Sequence, residues 1–511
     1  PPPSALPAAR QSGCERSKRM TFSQWVQWAD QQMWGPGMLV LLMGTGIYLT
    51  VRTRFLPWRN LGYALRSALG REARVSSGGD GAVSPFSALM TALAATIGTG
   101  NIVGVATALT AGGPGALVWM ELSAAVGLSS KFAECLLAVK YRQRSARGEW
   151  SGGPMYTMRK AISPRWLGRA LAFLFALSTV LASFGIGCGT HSIAQALNGV
   201  FHISPLLTGT VVTALALFAV LGGIRSVSRV SSVLVPAMAL FYLAAGLAVI
   251  CGNLSALPGA VVDLFTMALS PRAAAGGAAG STAAAWFRAV HFGISRGCFS
   301  NEAGMGSAAI IASASAAGHP VEQGYISMTG TFFDTMVVCT VTGLCICTSG
   351  VLGAADPVTG APLTGAHLTI LAFETVLGRG GAVFVGIAVA LFAFSTILGW
   401  EYLGEKAFEY LFGVRHLKLY RTVFCLAALP GAVEPLHLVW GLSDLFNAMM
   451  AVPNLLSLLL LSDTVAQEAL AFQPRVEHRR SKGSRRCRAF GFSADLTRRR
   501  SVSPKKRGNF P

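Results

Sequence analysis

A chain of 511 residues that is 52% hydrophobic, only 13% charged and carries a net charge of +20 does not have the composition of an ordinary soluble protein, in which about a quarter of residues are charged. Charges are sparse over long stretches and then arrive in bursts, the layout of a polytopic helical membrane protein. The positive excess excludes little, because thirteen Lys and Arg lie after Ser462. Such a tail reads as a solvated basic segment against anionic inner-leaflet lipid and not as a nucleic-acid partner.

Residues 1–33 read as a disordered N-terminal tail, with Met20 the expected biological start and no cleavable signal peptide. Eleven apolar runs follow, near 37–51, 86–111, 116–139, 170–197, 206–222, 232–251, 284–312, 326–350, 382–402, 420–436 and 438–461. They place a transmembrane unit over 34–462, with Trp34 and Tyr48 as interfacial anchors of the first span, and a basic cytoplasmic tail over 463–511. Loops on one side of this arrangement (52–85, 140–169, 223–231, 313–325 and 403–421) carry 20 Lys and Arg, and those on the other carry 2. The positive-inside rule puts the richer set in the cytoplasm of a bacterial-type inner membrane, with the N-terminus outside and the C-terminus inside.

Without the first run, ten spans remain, and they split into halves of five, about 86–251 and 284–461. The first helix of each half is interrupted, by "IGTGNIVG" at 97–104 and by "RGCFSNEAGMGS" at 296–307. Matching interruptions in halves of odd span number predict an all-α, five-plus-five inverted-repeat transporter with its site at the bilayer midplane. Gly98 and Gly100 let the chain unwind and a ligand approach bare backbone. A half-helix starting near Asn101 points N–H groups at the gap and suits a carboxylate, while one ending near Ile97 offers carbonyl oxygens to a cation.

Glu302 is an ionisable residue at membrane depth: either a contributor to cation or proton coupling, or a carboxylate that ties down the unwound backbone with Arg296 as partner. Ser395 and Thr396 are adjacent hydroxyls inside an apolar helix. They back-bond to the preceding turn unless this helix packs on the first broken one, where hydroxyls and carbonyls would form an oxygen cage suited to sodium. Lys131 and Glu134 are spaced for a local ion pair. No cysteine or histidine spacing suggests a metal centre, and no nucleophile–base set suggests an enzyme or a bound cofactor.

The segments "IGTGNIVGVATALTAGGPGALVWM", "KFAECLLAVKYR", "GGPMY", "RGCFSNEAGMGSA", "HPVEQG" and "LFAFSTILGWEYLGEKAFEYLFG" together resemble the alanine or glycine:cation symporter family, over about Trp34 to Ser462. The resemblance implies a leucine-transporter-type fold and uptake of alanine, glycine or a similar small amino acid, driven by Na⁺ or in some members H⁺, by alternating access. It implies a substrate carboxylate on the amides of Thr99, Gly100 and Asn101. The second unwound segment, Cys298 to Gly304 with Phe299, Ser300 and Asn301, would close over the amino group and side chain. A sodium site would take carbonyls of Ala94 and Ile97 and hydroxyls of Ser395 and Thr396, with Trp400 and Glu302 as coupling or gating candidates. Where the family usually places a substrate-binding glutamine, His191 or Gln195 lies nearest. The alternatives are a proton-coupled carrier or exchanger for another small neutral amino acid, and a non-transporting sensor with a transporter-like body.

Overall fold

A computed structural model describes residues 21–74, 81–146, 148–220, 223–269, 279–355, 360–433 and 436–479. The expectations for residues 1–20 and for the tail beyond 479 lie outside these segments. Helices dominate because a backbone N–H in oil must find its partner along its own chain. Among the described residues one small hairpin, β1 (Gln143–Arg144) with β2 (Trp150–Ser151), adds the only named strands.

The chain opens with α1 (Phe22–Met33), started by a capping box between Thr21 and Gln24, and α2 (Pro36–Arg52). Together they make one 31-residue span. That span begins earlier than the apolar run, so Trp34 sits inside it and is no interfacial anchor. Trp34 is buried, and its Nε1 donates to the carbonyl of Asp444 at 3.0 Å. The amphipathic α3 (Leu61–Leu69) follows. The first interrupted span is α4 (Pro85–Thr96) and α5 (Val105–Gly112), bent by 50° at the break. Ser84 caps α4, with Pro85 where a missing N–H does no harm.

The rest of the first half is α6 (Gly115–Tyr141), α7 (Pro154–Ala161), α8 (Arg165–Ser183), α9 (Ile186–Phe201), α10 (Pro205–Val220) and α11 (Gly223–Gly252). The short α12 (Leu257–Leu269) leads to the second interrupted span, α13 (Ala279–Asn301) and α14 (Ser307–Ala312). Then come α15 (Pro320–Thr331), α16 (Thr340–Thr348), α17 (Gly365–Leu377), α18 (Arg379–Phe412), α19 (Leu417–Gly431) and α20 (Leu436–Leu460). Among the described residues, seven helical spans are long and apolar enough to cross a membrane, or eight counting the bent pair as one. The remaining three apolar runs coincide with α10, with α13 and α14, and with α19. Two segments read as loops hold α12 and α17, of 13 residues each. At 1.5 Å per residue such a helix reaches about 20 Å, short of a ~30 Å hydrocarbon core.

The two interrupted spans run antiparallel. Before α4, Ala82 N donates to Ala314 O at 2.9 Å and Val83 O accepts from Ala316 N at 2.8 Å, joining the entry of the first span to the exit of the second. At the other end a Cβ on Gly112 would lie 3.1 Å from Ala289 Cα. An inverted repeat requires this pairing of opposite ends.

The second break lies later than expected. Cys298–Asn301 remain helical, and the chain leaves the helix at Glu302 (φ +52), passing through Gly304 (φ +87) and Gly306 (φ +82) before α14. Residues 463–479, read as part of a tail, are helical and packed, with Val465, Ala469, Phe472 and Val476 buried.

The scaffold helix α18 crosses α4 where neither has a bulky side chain. A Cβ on Gly399 would fall 2.6–2.8 Å from the Cβ, Cα and N of Ala95, atoms that cannot rotate away. Gly399→Ala is expected to destabilise the protein by about 1–3 kcal/mol, read as a lower melting temperature in detergent. Gly380→Ala on the same helix, where nothing lies within 4 Å, should leave it unchanged or raise it.

Candidate functional site

Both breaks open onto one cavity of about 50 Å³. Thr96, Gly98, Thr99 and Gly100 form one wall, and Phe299 and Glu302 a second. Thr396 and Trp400 of α18 form the third, and Ala182, Gly185, Cys188 and Gly189 at the α8–α9 junction with Ser443 and Asn447 of α20 lie opposite. Backbone leaves the α-helical pattern here for a physical reason. Ile97 takes ψ 92°, which turns its carbonyl out of the helical ladder, and Gly100–Gly104 recoil as a π-helical turn before α5. Such turns in α-helices concentrate at functional sites.

Each break is sewn into the protein by buried polar groups. At the first, Asn101 Oδ1 accepts the Gly98 N–H at 2.9 Å. Asn101 Nδ2 donates to the main-chain oxygen of Asp334 at 3.0 Å and to its Oδ1 at 2.9 Å. Asp334 sits in a second π-helical segment, Phe332–Cys339, between α15 and α16. Its Oδ2 accepts from Ser300 Oγ at 2.8 Å and Thr335 Oγ1 at 2.9 Å. One fully buried carboxylate thus holds residues from both interrupted spans.

At the second break Glu302 is fixed at every polar atom of its side chain. Trp400 Nε1 donates to Oε1 at 3.1 Å, and Ser307 Oγ donates to Oε2. Lys131 Nζ donates to the Glu302 main-chain oxygen at 3.2 Å and stands 3.8 Å from Glu134. Glu134 Oε2 accepts from Gly306 N at 3.0 Å and from Asn454 Nδ2 at 2.9 Å, and Asn454 Nδ2 also reaches Gly304 O at 2.9 Å. The expected partner Arg296 is engaged elsewhere, in an ion pair with Asp444 at 3.0 Å. Lys131 and Glu134 form the local pair that their spacing suggests.

Of the residues singled out in the sequence, Thr99, Gly100, Phe299, Glu302, Thr396 and Trp400 face the cavity. Asn101, Ser300 and Asn301 lie behind it, with Asn301 Nδ2 donating to Thr335 Oγ1 at 3.1 Å. His191 is half-buried on α9, whose lining residues are Cys188 and Gly189. Ser395 Oγ lies 3.3 Å from Ala94 O while donating to Phe392 O at 2.8 Å. Thr396 Oγ1 back-bonds to Phe392 O at 3.1 Å and is so close to Gly98 that a Cβ there would come within 2.1 Å. Hydroxyl and carbonyl oxygens therefore meet where α4 crosses α18, a donor set that suits a small hard cation.

Sequence reasoning passed over Asp334. It is a lone carboxylate in "TFFDTMVVC", inside the apolar run 326–350, and the rarity of acids at membrane depth is a signal that would have found it.

The sodium:alanine symporter family model matches residues 19–485. The sodium/alanine symporter AgcS of Methanococcus maripaludis is 46% identical, over 89% of this chain and 98% of its own length. An uncharacterized transporter of Haemophilus influenzae is 44% identical, over 90% of this chain and 98% of its own. The probable sodium/glutamine symporter GlnT of Bacillus subtilis is 34% identical, over 86% and 88%. Among solved structures, MhsT in complex with L-phenylalanine superposes with a TM-score of 0.51 at 14% identity, over 79% of this chain and 99% of that one, a likeness of fold. With two interrupted antiparallel spans around one cavity and a family match over nearly the whole described chain, this multi-pass membrane protein is a secondary transporter, not an enzyme, and belongs to the sodium:alanine symporter family.

Proposed function

We propose that the protein carries alanine, glycine or a similarly small amino acid into the cell together with Na⁺, by alternating access. The observation that carries this reading is the cavity at the two breaks. Its volume of about 50 Å³ is small, room for a few water-sized groups at ~10–15 Å³ each, which favours a small amino acid over a large one. Thr99 and Gly100 would present their amides to the carboxylate, backed by the positive end of the Gly100–Gly112 half-helix. Phe299 and Trp400 would border the methyl group. Na⁺ would lie between the carbonyls of Ala94 and Ile97 and the hydroxyls of Ser395 and Thr396, and so across the contact of α4 with α18.

The energy suffices. One Na⁺ crossing ~100 mV supplies ~2.3 kcal/mol, and a tenfold gradient adds ~1.4 kcal/mol. Together these support roughly 500-fold accumulation of a neutral amino acid. The 20-to-2 loop bias supports a cytoplasmic C-terminus, and the span Phe22–Arg52 ends on the Lys/Arg-rich side. Glu302, a buried carboxylate on the cavity wall, favours H⁺ as the alternative coupling ion.

Labelled alanine uptake into proteoliposomes is the test. Replacing Na⁺ by choline should abolish accumulation; uptake unchanged without both Na⁺ and a proton gradient would overturn the coupling. Ser395→Ala/Thr396→Ala should raise the half-saturating Na⁺ concentration by about tenfold or more while alanine still binds. Asn101→Leu should stop transport. Asp334→Asn places an amide donor opposite the donors of Asn101 or Ser300. It is expected to lower transport more than tenfold and to destabilise the protein by about 1–3 kcal/mol, whereas Cys251→Ser on an exposed surface should alter neither.

A further inference from the structure

The Lys/Arg-rich face carries a groove of about 680 Å³ bordered by α3 and the helical segment 462–479. Arg59, Arg66, Arg71 and Arg479 line it. Arg479 is occupied by acids, 3.2 Å from Glu72 and 3.3 Å from Glu322. Arg66 and Arg71 are exposed and make no ion pair with the described residues. Tyr63 also lines the groove, and its Oη is buried with no well-formed hydrogen bond among the described residues. Gly62 leaves the floor open, since a Cβ there would have nothing within 4 Å. The same stretch of chain carries large exposed apolar side chains outside the groove lining: Phe55 (52%), Trp58 (37%) and Leu69 (54%). Aromatic and aliphatic groups interleaved with arginines on a short amphipathic segment belong at the boundary between oil and water.

We propose that this groove is a binding site for the headgroup of an anionic phospholipid. The phosphate sits between Arg66 and Arg71, and the acyl chains run along Phe55, Trp58 and Leu69. Arginine clusters at this level of a membrane protein are suited to lipid phosphates, and the apolar rim is what a soluble phosphate would not use. The site touches the transport core through α15: Tyr63 packs edge-on to Tyr325 at 5.6 Å, and Asn60 Nδ2 donates to Tyr325 Oη at 2.7 Å.

Native mass spectrometry of the full chain in detergent, titrated with palmitoyl-oleoyl phosphatidylglycerol or phosphatidylcholine, tests the site without any transport reading. Phosphatidylglycerol should be retained and phosphatidylcholine should not. Arg66→Ala/Arg71→Ala should weaken phosphatidylglycerol retention roughly thirtyfold, a factor of about five per arginine. Gly62→Leu, which fills the groove and leaves the charge unchanged, should weaken it as well. Arg169→Ala/Arg415→Ala, two exposed arginines elsewhere, should not. Any of four results overturns the proposal: wild-type retention in Arg66→Ala/Arg71→Ala, an equal loss in Arg169→Ala/Arg415→Ala, equal retention of phosphatidylcholine, or displacement of the lipid by millimolar inorganic phosphate.

Discussion

Every part of this protein depends on the rule that a peptide group in hydrocarbon must be hydrogen-bonded. An interrupted helix breaks that rule twice over, on each side of the gap, at several kcal/mol per orphaned group in oil. The chain meets the demand with side chains. Asn101 takes the place of a missing carbonyl for Gly98 N. Glu134, reached from the neighbouring α6, does the same for Gly306 N, while Lys131 and Asn454 serve the carbonyls of Glu302 and Gly304. These groups are buried because they replace backbone partners, and burial in turn makes each of them expensive to lose.

Such stitching puts ionisable groups in a place that disfavours charge. Asp334, Glu302 and Glu134 stand against one buried lysine, Lys131. Neutral donors soften the imbalance: Asn101, Ser300 and Thr335 around Asp334, Trp400 and Ser307 around Glu302. A cation arriving among the oxygens of Ala94, Ile97, Ser395 and Thr396 would offset it further. On the symport reading, the ion therefore acts on the fold and not only on its substrate, since the groups it balances hold both breaks closed.

Much of this was legible in the chain, and the exceptions have particular causes. Runs of apolar residues mark the spans because a bilayer demands length, and "IGTGNIVG" marks the first break because it concentrates glycine and polar residues in a helix. The second break was misplaced by about four residues because glycine has two uses. Gly297 allows close packing, where a Cβ would lie 2.5 Å from Ser123 Oγ, and the helix continues through it; the helix ends at Glu302, itself at positive φ, and Gly304 and Gly306 carry the positive φ of the turn that follows. Ion-pair choice was not legible for Arg296, whose partner Asp444 is 148 residues away. The helix over 462–479 was hidden by composition: its buried Val465, Ala469, Phe472 and Val476 recur at helical spacing, but amid charges that average the segment to polar.

The close contacts also suggest what would move together. Gly293 and Gly297 of α13 press on Ala116, Trp119 and Ser123 of α6, and Gly324 of α15 presses on Phe132. With the interrupted spans joined at both ends, α4, α5, α13 and α14 form one body with α6 and α15. Trp400 and the Ser395–Thr396 pair lie on α18, outside that body, and meet it at the cavity and beside the Gly399–Ala95 crossing. On the symport reading, a cation bound there would have ligands on two bodies, and a substrate in the cavity would touch both. Binding energy for either species is then energy for one relative position of the bodies over another, and differential affinity of this kind is what coupling of two ligands requires. A single rigid helix bundle with the same oxygens would bind sodium and transport nothing. On the symport reading, the two breaks and the small-residue crossing would give the ion something to shift.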